Sequence, residues 1–255
     1  MYKEPAGRGQ VGREWGKRFI FLLLVFSFFT VLMPVQLPAS PQDILIVLDP
    51  GHGGEDTGVI GAGGVAEKDV CLDLALRVKK RIDQRLGYPT FLTRSRDLTL
   101  SLKARASQAN NHLGSVYISI HLAGFPDQSF QGFGTYTFDP SQTMLFPKKE
   151  MTPTLPQWDA QQLPHLESSR RLARMLHQTL QKGLPEQRDL GMHSMPIYPF
   201  GAFGMPAVLI EPAVLTSPIQ EDHLRQAEFK EEIAESIFQG IDEWIRSVYP
   251  GERHE

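Results

Sequence analysis

The chain has 255 residues, 41% of them hydrophobic, and a formal net charge of -3. That is enough apolar material for one sizeable core. The near-neutral balance gives no electrostatic case for nucleic acid as a partner. Cys71 is the only cysteine, which excludes an internal disulfide and a cysteine-based zinc knuckle.

Arg8, Arg13, Lys17 and Arg18 precede an uninterrupted apolar run at 19–33. Basic-then-apolar order marks residues 1–40 as a signal peptide or signal anchor. The run is long for a signal peptide and short for a full span of roughly 20 residues. The remainder is therefore expected outside the cytoplasm, in the periplasm or cell envelope. Membrane contact is expected only through this leader.

Residues 44–48 read as a fully buried strand, a short apolar run ended by a turn signal. Seven glycines at 51–66 make a loop. A helix fits 67–86, with Val70, Leu74, Val78, Ile82 and Leu86 as its apolar stripe; Cys71 in this pattern suits a small core residue. Gly87 stops it, and 88–93 reads as a second strand. A second helix fits 101–112, with Leu102, Ala106 and Ala109 on one side. Strands follow at 115–120 and 132–138.

Residues 139–166 carry Pro140, Pro147, Pro153, Pro156 and Pro164, which forbid a long regular element. A third helix fits 167–183, with a short strand at 195–198. Residues 207–210 form another buried strand, and Glu211 ends it. A last helix starts at Pro218 and presents Phe229, Ile233, Ile237, Ile241 and Ile245 on one face. This alternation predicts a single α/β domain over 41–250. Its central, mostly parallel or mixed sheet should be flanked by helices on both faces.

His52, His121 and Glu211 each follow an apolar strand, where open α/β sheets bind ligands. Glu67 opens a helix after a loop long enough to fold back. If the three strands are neighbours, these side chains meet at one edge. Two imidazoles and a carboxylate with an open position are the ligand set of a catalytic zinc, and a second carboxylate could serve as general base. Spacing alone favours the plainer reading, in which these are satisfied polar residues at strand ends.

The blocks DPGHGGEDTGVIG, EKDVCLDLA, FLTRSRDLTLSLKARASQAN, VYISIH and MPAVLIEPAVLTS, in this order over about 200 residues, resemble the zinc-dependent N-acetylmuramoyl-L-alanine amidases of the amidase-3 family. The resemblance implies one zinc per chain, held by His52, Glu67 and His121, with Glu211 as the catalytic glutamate. It also implies peptidoglycan or muropeptides as substrate. Asp49 would orient His52, or simply form a turn. Arg94, Arg105 and Asn110 would brace the scaffold. His165, His177 and His193 read as surface or loop residues. The 139–166 insertion reads first as a surface loop; it is also a candidate lid or shortened plug, through which Glu150 or Glu167 could reach the metal.

The sequence departs from the family pattern at two places. The usual Asn two residues after the second His is replaced in Leu122-Ala123-Gly124, and the usual Gly-Phe after the catalytic Glu in Pro212-Ala213-Val214. These departures leave open a non-catalytic wall-binding or regulatory protein on the same fold. The ligand set alone also suits another zinc amidohydrolase. No separate wall-binding module is visible, so targeting would fall to an anchor, a protein activator or the groove itself.

Overall fold

The computed structural model describes residues 44–141 and 160–250. The leader at 1–40, Glu150 and most of the 139–166 insertion lie outside the described residues. In chain order the elements are β1 (Ile46–Pro50), α1 (Glu67–Arg85), β2 (Thr90–Leu92), α2 (Leu102–Asn111), β3 (Val116–Ile120) and β4 (Phe133–Phe138). Then come α3 (Leu166–Gly183), β5 (Asp189–Met195), β6 (Ala207–Glu211), α4 (Pro218–Arg225) and α5 (Ala227–Val248). Among the described residues no helix is long and apolar enough to cross a membrane.

The strands make one six-stranded sheet in the order β2-β1-β3-β6-β4-β5. β2, β1, β3 and β6 run parallel, whereas β4 pairs antiparallel to β6 and parallel to β5. The expected mixed sheet is therefore present. β1 and β3 are buried at every position, which is why they read as continuous apolar runs rather than alternating ones.

Alternate side chains go to opposite faces. Ile46, Leu48, Val116, Ile118 and Ile120 face a large core closed by the apolar stripes of α1, α3 and α5. Val47 and Tyr117 face a smaller one with α2 and the 200–205 turn. Each buried Leu, Ile or Phe contributes about 1.5–3 kcal/mol by leaving water, so the sheet is held from both sides. Arg77 and Arg81 of α1 pair with Glu231 of α5, and Arg81 and Arg85 pair with Glu235. These pairs close the rim of the larger core.

Local signals explain most boundaries. The Ser101 hydroxyl accepts the Ala104 N–H at the start of α2, and Ser217 with Pro218 starts α4. Gly87, at φ 70°, ends α1 and donates its N–H to Ile82.

Four expectations shift. The second strand is only three residues long. The strand expected at 195–198 lies at Asp189–Met195; it is a polar edge strand, exposed along much of its length, so it has no apolar period to read. The last helix breaks at Gln226, whose extended backbone (ψ 136°) separates α4 from α5. Leu102 is exposed, and the buried face of α2 is Arg105, Ala106 and Ala109.

Candidate metal centre

β1, β3 and β6 are consecutive in the sheet, so their carboxyl ends form one edge. The His52 turn leaves β1, His121 follows β3, and Glu211 closes β6. The Gly-rich loop folds back and returns Glu67, the first residue of α1, to the same edge. His52 Nε2 lies 3.0 Å from a Glu67 oxygen, and His121 Nδ1 lies 3.0 Å from the same oxygen. The two rings meet edge to face at 4.8 Å between centroids. The ligand atoms of His52, Glu67 and His121 all lie within 4.8 Å of one another. Tetrahedral zinc with bonds of about 2.0–2.1 Å holds its donors roughly 3.3 Å apart. The donor set is of the right chemistry and nearly the right spacing to hold one such ion.

Each of these side chains is held from behind. Glu67 is buried, and its two oxygens accept the N–H groups of Leu122 and Val59, both at 2.9 Å. Burial alone would raise its pKa. The imidazoles of His121 and His52 and the Leu122 N–H outweigh burial and hold the carboxyl well below the usual range. Burial pulls His52 down, but the Glu67 and Asp56 carboxylates outweigh it and leave this pKa raised. Asp56 accepts the His52 Nδ1 proton at 2.9 Å, which presents Nε2 to the site.

His52 has a left-handed backbone, φ 58°. For a residue with a Cβ that conformation costs about 1–3 kcal/mol and persists only where the surroundings impose it. Two buried guanidiniums impose it. Arg94 donates to the Pro50 and Gly51 carbonyls at 3.0 and 2.7 Å, and Arg105 donates to those of Pro50 and His52. Gly51 is needed for space: a Cβ there would lie 2.4 Å from the His121 ring.

Asp49 does not touch the His52 ring. It is buried beneath the turn, where Arg105, Thr93 and Ser119 donate to it. It orients His52 only through the Arg105 clamp. Asn110 sits apart, bracing the Ala202 carbonyl and the Gly204 N–H. Glu167 is exposed on α3 beside Arg170 and does not reach the site. His177 is not a surface residue. It is buried in α3, 3.0 Å from Asp189, with its other nitrogen 3.3 Å from the Thr135 hydroxyl. His193 is exposed on β5, and His165 ends the 3-10 turn before α3.

Glu211 is one residue past the Ile120–Ile210 pair, and the His121 N–H bonds the Ile210 carbonyl at 2.9 Å. His121 and Glu211 are thus cross-strand neighbours. Burial raises the Glu211 pKa above the ordinary carboxylate range, and the Tyr136 hydroxyl offsets part of that rise. Tyr136 and Asp56 are the polar neighbours that sequence reasoning missed. Asp56 was visible as an acid four residues after His52; Tyr136 required knowing that β4 inserts beside β6.

A family model described as N-acetylmuramoyl-L-alanine amidase, Amidase_3, matches residues 46–243. The chain belongs to this family. Among its relatives, the N-acetylmuramoyl-L-alanine amidase AmiC of Neisseria meningitidis serogroup B is 29% identical over 228 residues. That alignment covers 80% of this chain and 53% of the relative, so the chain spans about half the length of that protein. The germination-specific N-acetylmuramoyl-L-alanine amidase of Bacillus subtilis is 28% identical, with 88% of this chain and 90% of the relative aligned. The solved N-acetylmuramoyl-L-alanine amidase of Clostridium difficile 630 superposes with a TM-score of 0.68 at 26% identity, covering 82% of this chain and 99% of that one. In this amidase-family chain, the two departing segments zip together by main-chain bonds. Ala123 donates to Ala213 at 2.9 Å and Leu215 donates to Ala123 at 2.8 Å, with Ala213 and Val214 buried.

Proposed function

We propose that this chain is an exported zinc hydrolase. It cleaves the amide between N-acetylmuramic acid and L-alanine of the peptidoglycan stem peptide, with residues 41–250 as the catalytic domain. The observation that carries the reading is the meeting of two imidazoles, a buried carboxylate and a second carboxylate at one sheet edge, within a chain of the amidase family. Zinc held by His52, Glu67 and His121 would acidify a water and polarise the muramoyl carbonyl.

The chain's own groups supply the rest. Glu211 stands on the neighbouring strand with its pKa raised by burial, which makes it a better proton acceptor than a solvated carboxylate. It takes the proton of the attacking water and returns it to the departing amine of L-alanine. Asp56 holds His52 in the tautomer that faces the site, and the Leu122 and Val59 N–H groups hold Glu67 in place. Export through the 1–40 leader is part of the same proposal.

The non-catalytic alternative drew on the altered segments after His121 and Glu211. Their mutual main-chain pairing supports a packed variant of the family edge rather than a decayed one. The test is Glu211→Gln, which keeps the shape and removes the base. The variant should fold, keep its zinc and lose about 10²–10⁴-fold in kcat. Mass spectrometry of digested muropeptides is the readout. Cleavage at the wild-type rate would remove Glu211 from the mechanism.

A further inference from the structure

β4 runs antiparallel to β6 and puts Gly134 directly opposite Glu211. Residues two apart on a strand share a face, so Tyr136 is the diagonal neighbour of Glu211 on the same side of the sheet. The position between them carries no side chain. A Cβ on Gly134 would lie 3.1 Å from the Tyr136 hydroxyl and 3.4 Å from the nearest ring carbons. The phenol leans over this vacant position, on the face of the sheet that Glu211 shares, and each of the two groups shifts the pKa of the other.

The ring also has a neighbour on β5, where His193 is the register partner of Tyr136. His193 of β5 stacks on Tyr136 with centroids 5.3 Å apart and planes 27° from parallel. His193 is itself placed by a contact of 2.9 Å between its Nε2 and the Leu190 carbonyl. Tyr136 belongs to neither apolar core and is only half-buried. Packing alone does not account for where its hydroxyl goes.

We propose that Tyr136 is a positioning residue for the general base: through the gap left by Gly134 it donates its hydroxyl to Glu211 and fixes the direction of that carboxylate, with His193 clamping the ring. The catalytic part of this inference rests on the amidase reading above; the tether itself does not. A carboxylate at a strand end can otherwise rotate about its side-chain torsions, and a wrongly aimed base loses rate without losing substrate.

The experiment compares wild type, Tyr136→Phe, Gly134→Ala and the double variant, all zinc-loaded, with Glu211→Gln as reference. Melting temperature and zinc content check that each variant is folded and loaded. The first readout needs no activity: the Glu211 carboxyl is titrated by carbon NMR of glutamate-labelled protein and assigned by its loss in Glu211→Gln. The charged and titratable groups facing it are Glu67, His121, His193 and Tyr136, and only the last changes. Removing a donor to the ionised form should move the Glu211 midpoint up by on the order of one pH unit.

The second readout is muropeptide cleavage. Tyr136→Phe should lower kcat about 10–100-fold with KM within about two-fold, as expected for loss of a hydrogen bond to a charged group. The acid limb of the profile should move up in step. Gly134→Ala should do the same in the wild-type background, because its methyl group crowds the hydroxyl. It should add little to Tyr136→Phe, where no hydroxyl is left to crowd. An unmoved Glu211 midpoint, or additive effects in the double variant, overturns the proposal. A moved midpoint in a protein that cleaves no muropeptide keeps the tether and overturns the amidase reading instead.

Discussion

Two small residues illustrate how tightly the edge is built. Gly51 is required because the His121 ring fills the space a methyl group would take. Gly51→Ala should displace His121 and lower zinc affinity strongly while leaving the sheet intact; competition with a chromogenic chelator measures it. Asp56 acts at a gentler level, since it meets His52 at the far nitrogen while its other oxygen accepts the Gly58 N–H. Partners of this kind typically contribute 10–100-fold in metal affinity, so Asp56→Ala should weaken zinc binding by about that factor without unfolding the chain. Zinc affinity unchanged in Asp56→Ala would show that Arg105 and the turn place His52 unaided. The three proposed ligands and Glu211 were legible because each is the first polar side chain after a buried run or a Gly-rich loop. Asp49 was legible as important but not in its role. A strand-borne acid points alternately up or down, and only the register shows it beneath the turn with Arg105.

At the scale of elements, the Gly-rich loop must return to one place, because Glu67 is the residue that follows it. A buried carboxylate on α4 anchors it. Glu221 accepts the N–H groups of Gly63 and Val65 at 2.6 and 3.0 Å, and Arg225 bridges Glu221 to the Gly63 carbonyl. Those bonds hold the Glu221 pKa lowered despite its burial. The stability they contribute is therefore present above the ordinary glutamate pKa and is lost as pH falls through the lowered one. Glu221→Ala strands two loop N–H groups and should cost about 1–3 kcal/mol, with new protease cleavage within 58–66. A protease-resistant loop in that variant would mean that the main-chain bonds from Gly61 to Val65 and from Glu67 to Val59 suffice. Helices were readable from strong apolar periods, and central strands from unbroken buried runs. β5 and the break at Gln226 were not: an exposed edge strand has no stripe, and the stripe of α5 begins only at Phe229.

The described domain joins two packing layers of unequal size through one sheet, and the proposed ion would tie three segments of that sheet edge together. His52, Glu67 and His121 come from the turn after β1, the start of α1 and the end of β3. None of these segments binds an ion in the unfolded chain at comparable affinity, so binding is linked to folding. Free zinc at 100 times its dissociation constant would add about 2.7 kcal/mol. For a domain of this size that corresponds to roughly 5–10 °C in melting temperature. The edge has supports other than an ion, because two backbone N–H groups hold Glu67 and Asp56 holds His52. Chelation should thus lower the melting temperature by several degrees and leave the far-ultraviolet circular dichroism at room temperature unchanged. Stoichiometric zinc should restore it, at one ion per chain. A chelated protein whose melting temperature does not respond to zinc would mean that these three side chains form only a buried hydrogen-bonded triad.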